Sequence, residues 1–169
     1  MLVTFEVPNK LPSEDELLSL EQTLGASLPE EYREFLQSIN GGTPNHRDDL
    51  VCTVYWDGQD WADPIEENGI NYFYHIGQQN RLSEGLDLEY NIETFVVGKR
   101  IPKDTFPIAN DAMGNQYLLS FNDEDYSHVY FWQKDFEKIP DDQNEPDFSN
   151  VAVVTESFSE FINSFEISE

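Results

Sequence analysis

Few of the reactive side chains in this sequence are spaced for catalysis. Asp123-Glu124-Asp125 is a short carboxylate run, and hard cations take carboxylate oxygens. A calcium loop counted from Asp123 needs glycine at its sixth place and glutamate at its twelfth; His128 and Lys134 stand there instead. The run reads as a solvated turn. His46, His75 and His128 are isolated, with no His-Glu-x-x-His spacing. Cys52 lies in the apolar stretch Leu50–Trp56 and reads as a buried thiol. Ser120 lacks the Gly-x-Ser-x-Gly elbow, and Gly41-Gly42 follows a helix where a phosphate loop must precede one. With 34 acids in the chain, a pair of catalytic carboxylates can always be drawn and carries no information. No catalytic residue, cofactor or metal is assigned, and the chain is not expected to be an enzyme.

Aromatic residues among acids point elsewhere. Trp56, Trp61, Tyr72 and Tyr74 lie near Asp57, Asp60, Asp63, Glu66 and Glu67. Tryptophan and tyrosine ringed by carboxylates suit the centre of an interface with a basic protein. Trp56 and one of Tyr72 or Tyr74 also read as core strand residues. Trp61, in an expected loop, is the best candidate for an exposed anchor. The candidate partner-binding set is Trp61, Asp57, Asp60, Asp63, Glu66, Glu67, Asp123, Glu124 and Asp125.

The elements that must carry these residues are partly legible. Ser13-Glu14-Asp15-Glu16 is a capping box, Leu17, Leu20 and Leu24 share a helical face, and Gly25 supplies the stop. Pro29 suits the first position of a second helix, with Tyr32, Phe35, Leu36 and Ile39 on one face and Asn40-Gly41-Gly42 ending it. Residues 50–56 and 70–76 read as strands, with 57–69 as the loop between them. Helical spacing returns near 87–97. Residues 106–109, 116–121 and 128–133 read as an antiparallel meander, in which Tyr117, Tyr130, Phe131 and Trp132 alternate and at least one face is core. Residues 151–154 form a last strand, and Ser157-Phe158-Ser159-Glu160 reads as a second capping box opening a short helix. Strands in runs, rather than in strict alternation with helices, predict an α+β fold with helices packed on a mostly antiparallel sheet. The length of 169 residues suits a single domain, 1–169.

Charge narrows the partners. Nine bases against 34 acids leave a formal net charge of −25, divided almost evenly, −12 over residues 1–85 and −13 over 86–169. The densest acidic stretch, 135–147, contains Pro140 and Pro146 and reads as a solvated loop. Such a surface repels phosphate backbones and anionic headgroups, so neither nucleic acid nor a membrane is expected as a partner. A basic protein is the natural one. One cysteine allows no internal disulfide, the first residues lack the pattern of a signal peptide, and no apolar run is long enough to span a bilayer; a cytoplasmic location is expected. Oligomeric state is not legible.

Two ordered blocks carry a likeness. Leu17…Leu20-Glu21…Leu24-Gly25…Leu28-Pro29-Glu30-Glu31-Tyr32…Phe35-Leu36…Asn40-Gly41-Gly42 strongly resembles the opening of the SUKH superfamily, which includes fungal cell-wall regulators of the Smi/Knr type. Phe106-Pro107-Ile108-Ala109, Gly114, Tyr117-Leu118-Leu119-Ser120, Val129-Tyr130-Phe131-Trp132 and the closing Phe158…Phe161-Ile162 resemble its second half. Residues 43–105 match loosely. The resemblance implies an α+β SUKH-like domain. For bacterial members it implies an immunity protein that binds and neutralises a cognate polymorphic or contact-dependent toxin, often a nuclease. It transfers no site residues. The expected partner is a basic toxin domain, reached by electrostatic steering. The alternatives are a non-catalytic regulatory module of the Smi/Knr type and an acidic DNA mimic.

Overall fold

A computed structural model describes residues 3–5, 9–77, 85–138 and 147–168. Helix α1 (Glu14–Leu24) has both arms of its capping box: Ser13 Oγ accepts from the Glu16 amide, and the Glu16 carboxylate accepts from the Ser13 amide. Gly25 ends it in the left-handed region. Pro29 caps α2 (Glu30–Ser38) from one residue outside the helix rather than standing at its first position. Leu17 and Leu20 of α1 and Tyr32, Phe35 and Leu36 of α2 are buried, as their spacing requires.

The Asn40-Gly41-Gly42 turn does more than stop α2. A Cβ at Gly41 would lie 2.4 Å from the Phe73 carbonyl oxygen, at a φ of +70°. Only glycine permits that approach. Asn40, fully buried, accepts from the Ile76 amide and donates to the Lys10 and Ile76 carbonyls. The Gly42 and Phe73 backbones exchange two hydrogen bonds. The turn thereby ties the helical pair to the edge of the sheet.

The strands are β1 (Leu50–Tyr55), β2 (Ile65–Gly69), β3 (Tyr72–Phe73), β4 (Thr105–Asn110), β5 (Gln116–Ser120), β6 (Val129–Trp132), β7 (Val151–Thr155) and β8 (Glu166–Ile167). They run in the order β2-β1-β7-β6-β5-β4-β3, with every neighbouring pair antiparallel. β8 pairs with the start of β1, on the edge that β7 uses at its end. Helix α3 (Leu88–Asn91), capped by the Asp87 carboxylate, runs into a π-helical turn at Ile92–Val97. A 3-10 turn follows β6 at Lys134–Phe136, and α4 (Phe158–Ser164) follows β7. This is the expected α+β architecture.

Four further expectations are corrected. Residues 57–69 are not all loop: 65–69 form β2, an edge strand whose Glu66 and Glu67 belong to the charged type that blunts sheet edges. The strand expected at 70–76 narrows to Tyr72–Phe73, because His75 leaves the ladder to bridge Asp87. The 87–97 helix changes winding at Ile92. Ser157 accepts from the Glu160 amide, but the Glu160 carboxylate reaches the Glu156 amide, so the second capping box is half formed. The centre of the 135–147 stretch, including Pro140 and Pro146, lies outside the described residues, as do Met1, Leu2 and Glu6.

Register assigns the two faces. Cys52, Val54, Phe106, Tyr117, Leu119, Val129, Phe131, Ala152 and Val154 point to one side and pack with α1, α2 and α4 in the main core. Its centre is aromatic: Tyr32 meets Phe158 at 5.0 Å, Phe161 meets Tyr117 at 5.2 Å and Phe165 at 5.0 Å. On the other side, Leu118 and Trp132 form a small second cluster with Phe95 and Ile101. Arg100 lies over the Phe95 and Trp132 rings and is held there by a bidentate pair with Glu137, both oxygens at 2.7 Å.

Candidate protein interface

Cys52 and His75, two of the residues with nucleophilic or ligating chemistry, are buried in the packing. Cys52 is buried, its thiol hydrogen-bonds the Tyr117 hydroxyl at 3.4 Å, and burial pushes its pKa up to about 12. A thiol so poised is a poor nucleophile at neutral pH. His75 is fully buried, with Nδ1 3.0 Å from the Tyr72 hydroxyl, and burial pulls its pKa down despite Asp87 nearby. His46 is exposed, and His128 lies beside the Tyr130 ring. Among the described residues, no group of three or more His, Cys, Asp or Glu is placed to hold a metal ion. Among them also, no helix is long and apolar enough to cross a membrane.

The candidate partner-binding residues fall into two groups at opposite ends of the strands. The β1–β2 loop carries Asp57, Asp60, Trp61 and Asp63. It leaves β1 after Tyr55, which pairs with Val153 of β7; Val151 in turn pairs with Trp132, the last residue of β6. The β5–β6 turn carries Asp123, Glu124 and Asp125. It enters β6 at Val129, which pairs with Thr155, the far end of β7. The structure therefore separates what the sequence analysis grouped.

Their environments also differ. Trp61 is half-buried rather than free-standing. It stacks on Phe136 at 3.8 Å and meets the edge of Trp56 at 4.7 Å, and Trp56 is core. Glu66 accepts from Trp56 Nε1 at 3.0 Å and from the Asp63 amide at 3.1 Å, so it anchors the loop. Asp125 accepts from the Ser120 hydroxyl at 2.6 Å and from the Tyr130 hydroxyl, so it holds the β5–β6 turn together. Asp57, Asp60, Asp63, Glu67, Asp123 and Glu124 are exposed.

Between the two acidic ends lies a row that the sequence reading missed. Ile65, Tyr55, Val153 and Tyr130 pair directly across β2, β1, β7 and β6, so their side chains share the face away from α1, α2 and α4. Ile65 is 64% exposed, Tyr55 49% and Val153 44%. The signal was present in Val151-Ala152-Val153-Val154, which is apolar on both faces. Alternation alone cannot say whether the second apolar face is buried.

The chain is similar to known sequences over most of its length. A family model described as the SMI1 / KNR4 family (SUKH-1) matches residues 11–164. A relative in Bacillus subtilis (strain 168), the SPbeta prophage-derived uncharacterized protein YokK, is 24% identical over 155 residues, which cover 88% of this chain and 71% of that protein. The matched span runs from just before the α1 cap to the last residue of α4, so the chain belongs to the SMI1 / KNR4 (SUKH-1) family.

Proposed function

We propose that this chain is an immunity protein, a single acidic domain acting in the cytoplasm. It binds a cognate toxin carrying a basic nuclease domain and neutralises it by direct association. The observation that carries the reading is the net charge of −25, spread over both halves of the chain. Nucleases approach polyanions, so their working surfaces are basic, and an opposite field steers encounter with them. Family membership supports a protein-binding role, and a prophage-derived relative fits a gene carried in competition between genetic elements.

The test is a search of the reading frame immediately upstream for a large protein ending in a small basic domain, and co-expression with that domain. The expected result is co-purification, loss of that domain's toxicity, and an on-rate that falls about 10-fold or more between low and physiological salt. A tight complex whose on-rate ignores ionic strength would remove steering from the account. Displacement of DNA from unrelated DNA-binding proteins would favour the DNA mimic instead.

A further inference from the structure

The open face of the sheet is the part of the molecule whose chemistry the fold leaves unused. Three large apolar side chains, Ile65, Tyr55 and Val153, stand in direct register and exposed. Tyr130 continues the register, but its hydroxyl is taken by Asp125 and its ring packs against the Phe95–Trp132 cluster, so the exposed row ends at Val153. The other exposed large hydrophobics, such as Leu18 on α1, Tyr90 on α3 and Met113 in the β4–β5 turn, belong to separate elements. Isolated exposed apolar residues are ordinary, whereas an aligned row is not.

The surroundings of the row are acidic. No lysine or arginine occurs in β1, β2, β6 or β7. Glu67 projects from the same face, opposite Thr53. Asp57, Asp60 and Asp63 stand at one end of the strands, and Asp123, Glu124 and Glu156 at the other, all exposed. Lys134 is an exposed base after β6, Lys138 beyond it is paired with Asp147, and Arg100, over Trp132 on this side of the sheet, is paired with Glu137. An apolar row within an acidic frame has the layout of an interface, with desolvated anchors at the centre and charge at the rim.

We propose that this face, centred on Tyr55 and Val153, docks the toxin's basic domain through an apolar projection framed by lysine or arginine. The inference rests on the immunity reading and adds to it the surface used. Charge complementarity selects this occupant. A second copy would set two acidic frames against each other within about 8 Å, the screening length at physiological salt.

The test uses the full chain and an inactivated form of the upstream-encoded domain as probe. Val153→Arg and Tyr55→Ala are compared with Leu18→Arg, which makes the same charge change as the first on a remote helix. Expected are losses of at least about 30-fold in affinity for Val153→Arg and about 10-fold for Tyr55→Ala, with less than about 3-fold for Leu18→Arg. Tyr55→Ala adds no charge, so it keeps the test intact if the arginine disturbs the strand. If wild type binds and both face variants bind as well as wild type, the docking face is overturned and the immunity reading stands. If wild type does not bind the probe, the reading falls and the face with it. A wild-type dimer in sedimentation that Val153→Arg dissolves would assign the face to a second copy and overturn the proposal.

Discussion

On the helix-covered face of the sheet, Cys52, Val54, Phe131, Ala152 and Val154 are each at most 5% exposed. One step along the same strands, Tyr55 and Val153 are 49% and 44% exposed. Both sets are apolar, and both are placed by the same ladders. What separates them, among the described residues, is the helical pair and α4 on one side, against the Phe95–Ile101 segment over β5 and β6 on the other. Apolar character therefore names residues that want a partner. It does not say whether the partner lies within the chain.

That contrast can be broken by mutation, beginning where the effect is largest. Phe161 is fully buried between Tyr117 and Phe165, so Phe161→Ala is expected to cost about 3–5 kcal/mol. Thermal unfolding should show it as a fall of roughly 10 °C in the midpoint. A fall of only a degree or two would mean that the covered face is not the tightly packed one. Gly41→Ala places a Cβ against the Phe73 carbonyl at positive φ and is expected to cost about 2–3 kcal/mol in denaturant unfolding.

The acids sort by the same logic. Asp125→Asn weakens the bonds to Ser120 and Tyr130 and should lose about 1–2 kcal/mol. Asp123→Asn, with an exposed carboxylate, should stay within about 0.5 kcal/mol. Equal losses from both would show that the turn does not depend on the Asp125 bonds.

His75 makes a smaller, pH-dependent contribution. Burial lowers its folded pKa below the ordinary 6.5, so the unfolded chain takes up the proton first as pH falls. Its stabilising share is complete above 6.5 and is lost as pH drops through the lower, folded value. Asp87 opposes this shift, and the Tyr72 hydroxyl faces Nδ1. Unfolding of wild type and His75→Gln between pH 7.5 and 5.5 should show wild type losing its advantage toward acid. An advantage that grows toward acid would mean a protonated His75 in the fold. An effect as small as that of Asp123→Asn belongs to the open face: Val153→Arg should change stability by no more than about 0.5 kcal/mol.

Elements written in local chemistry were legible. Ser13, Glu16 and Gly25 delimit α1, and Tyr32, Phe35 and Leu36 mark the buried side of α2. β2 was not legible, because Ile65-Glu66-Glu67-Asn68-Gly69 has weak strand propensity and becomes a strand by pairing with β1. Trp61 was expected to be an exposed anchor and is half-buried, because it stacks on Phe136, which lies 75 positions later. No local pattern reports such a contact. The candidate acids were found as types, and their separation to opposite ends of the strands was hidden in the register.

By itself, the sequence determined the helical pair, the β4–β5–β6 meander, the strong negative field and the family likeness. Each depends on neighbours in the chain or on a sum over it, and neither requires knowing which distant strands meet. Only the tertiary structure decided that Ile65, Tyr55 and Val153 align, and that helices cover one face of their sheet and leave these three exposed. The physical reason is that register and coverage are properties of pairs of segments far apart in sequence. An alternating strand offers both of its faces, and the packing of the other elements chooses which one becomes core.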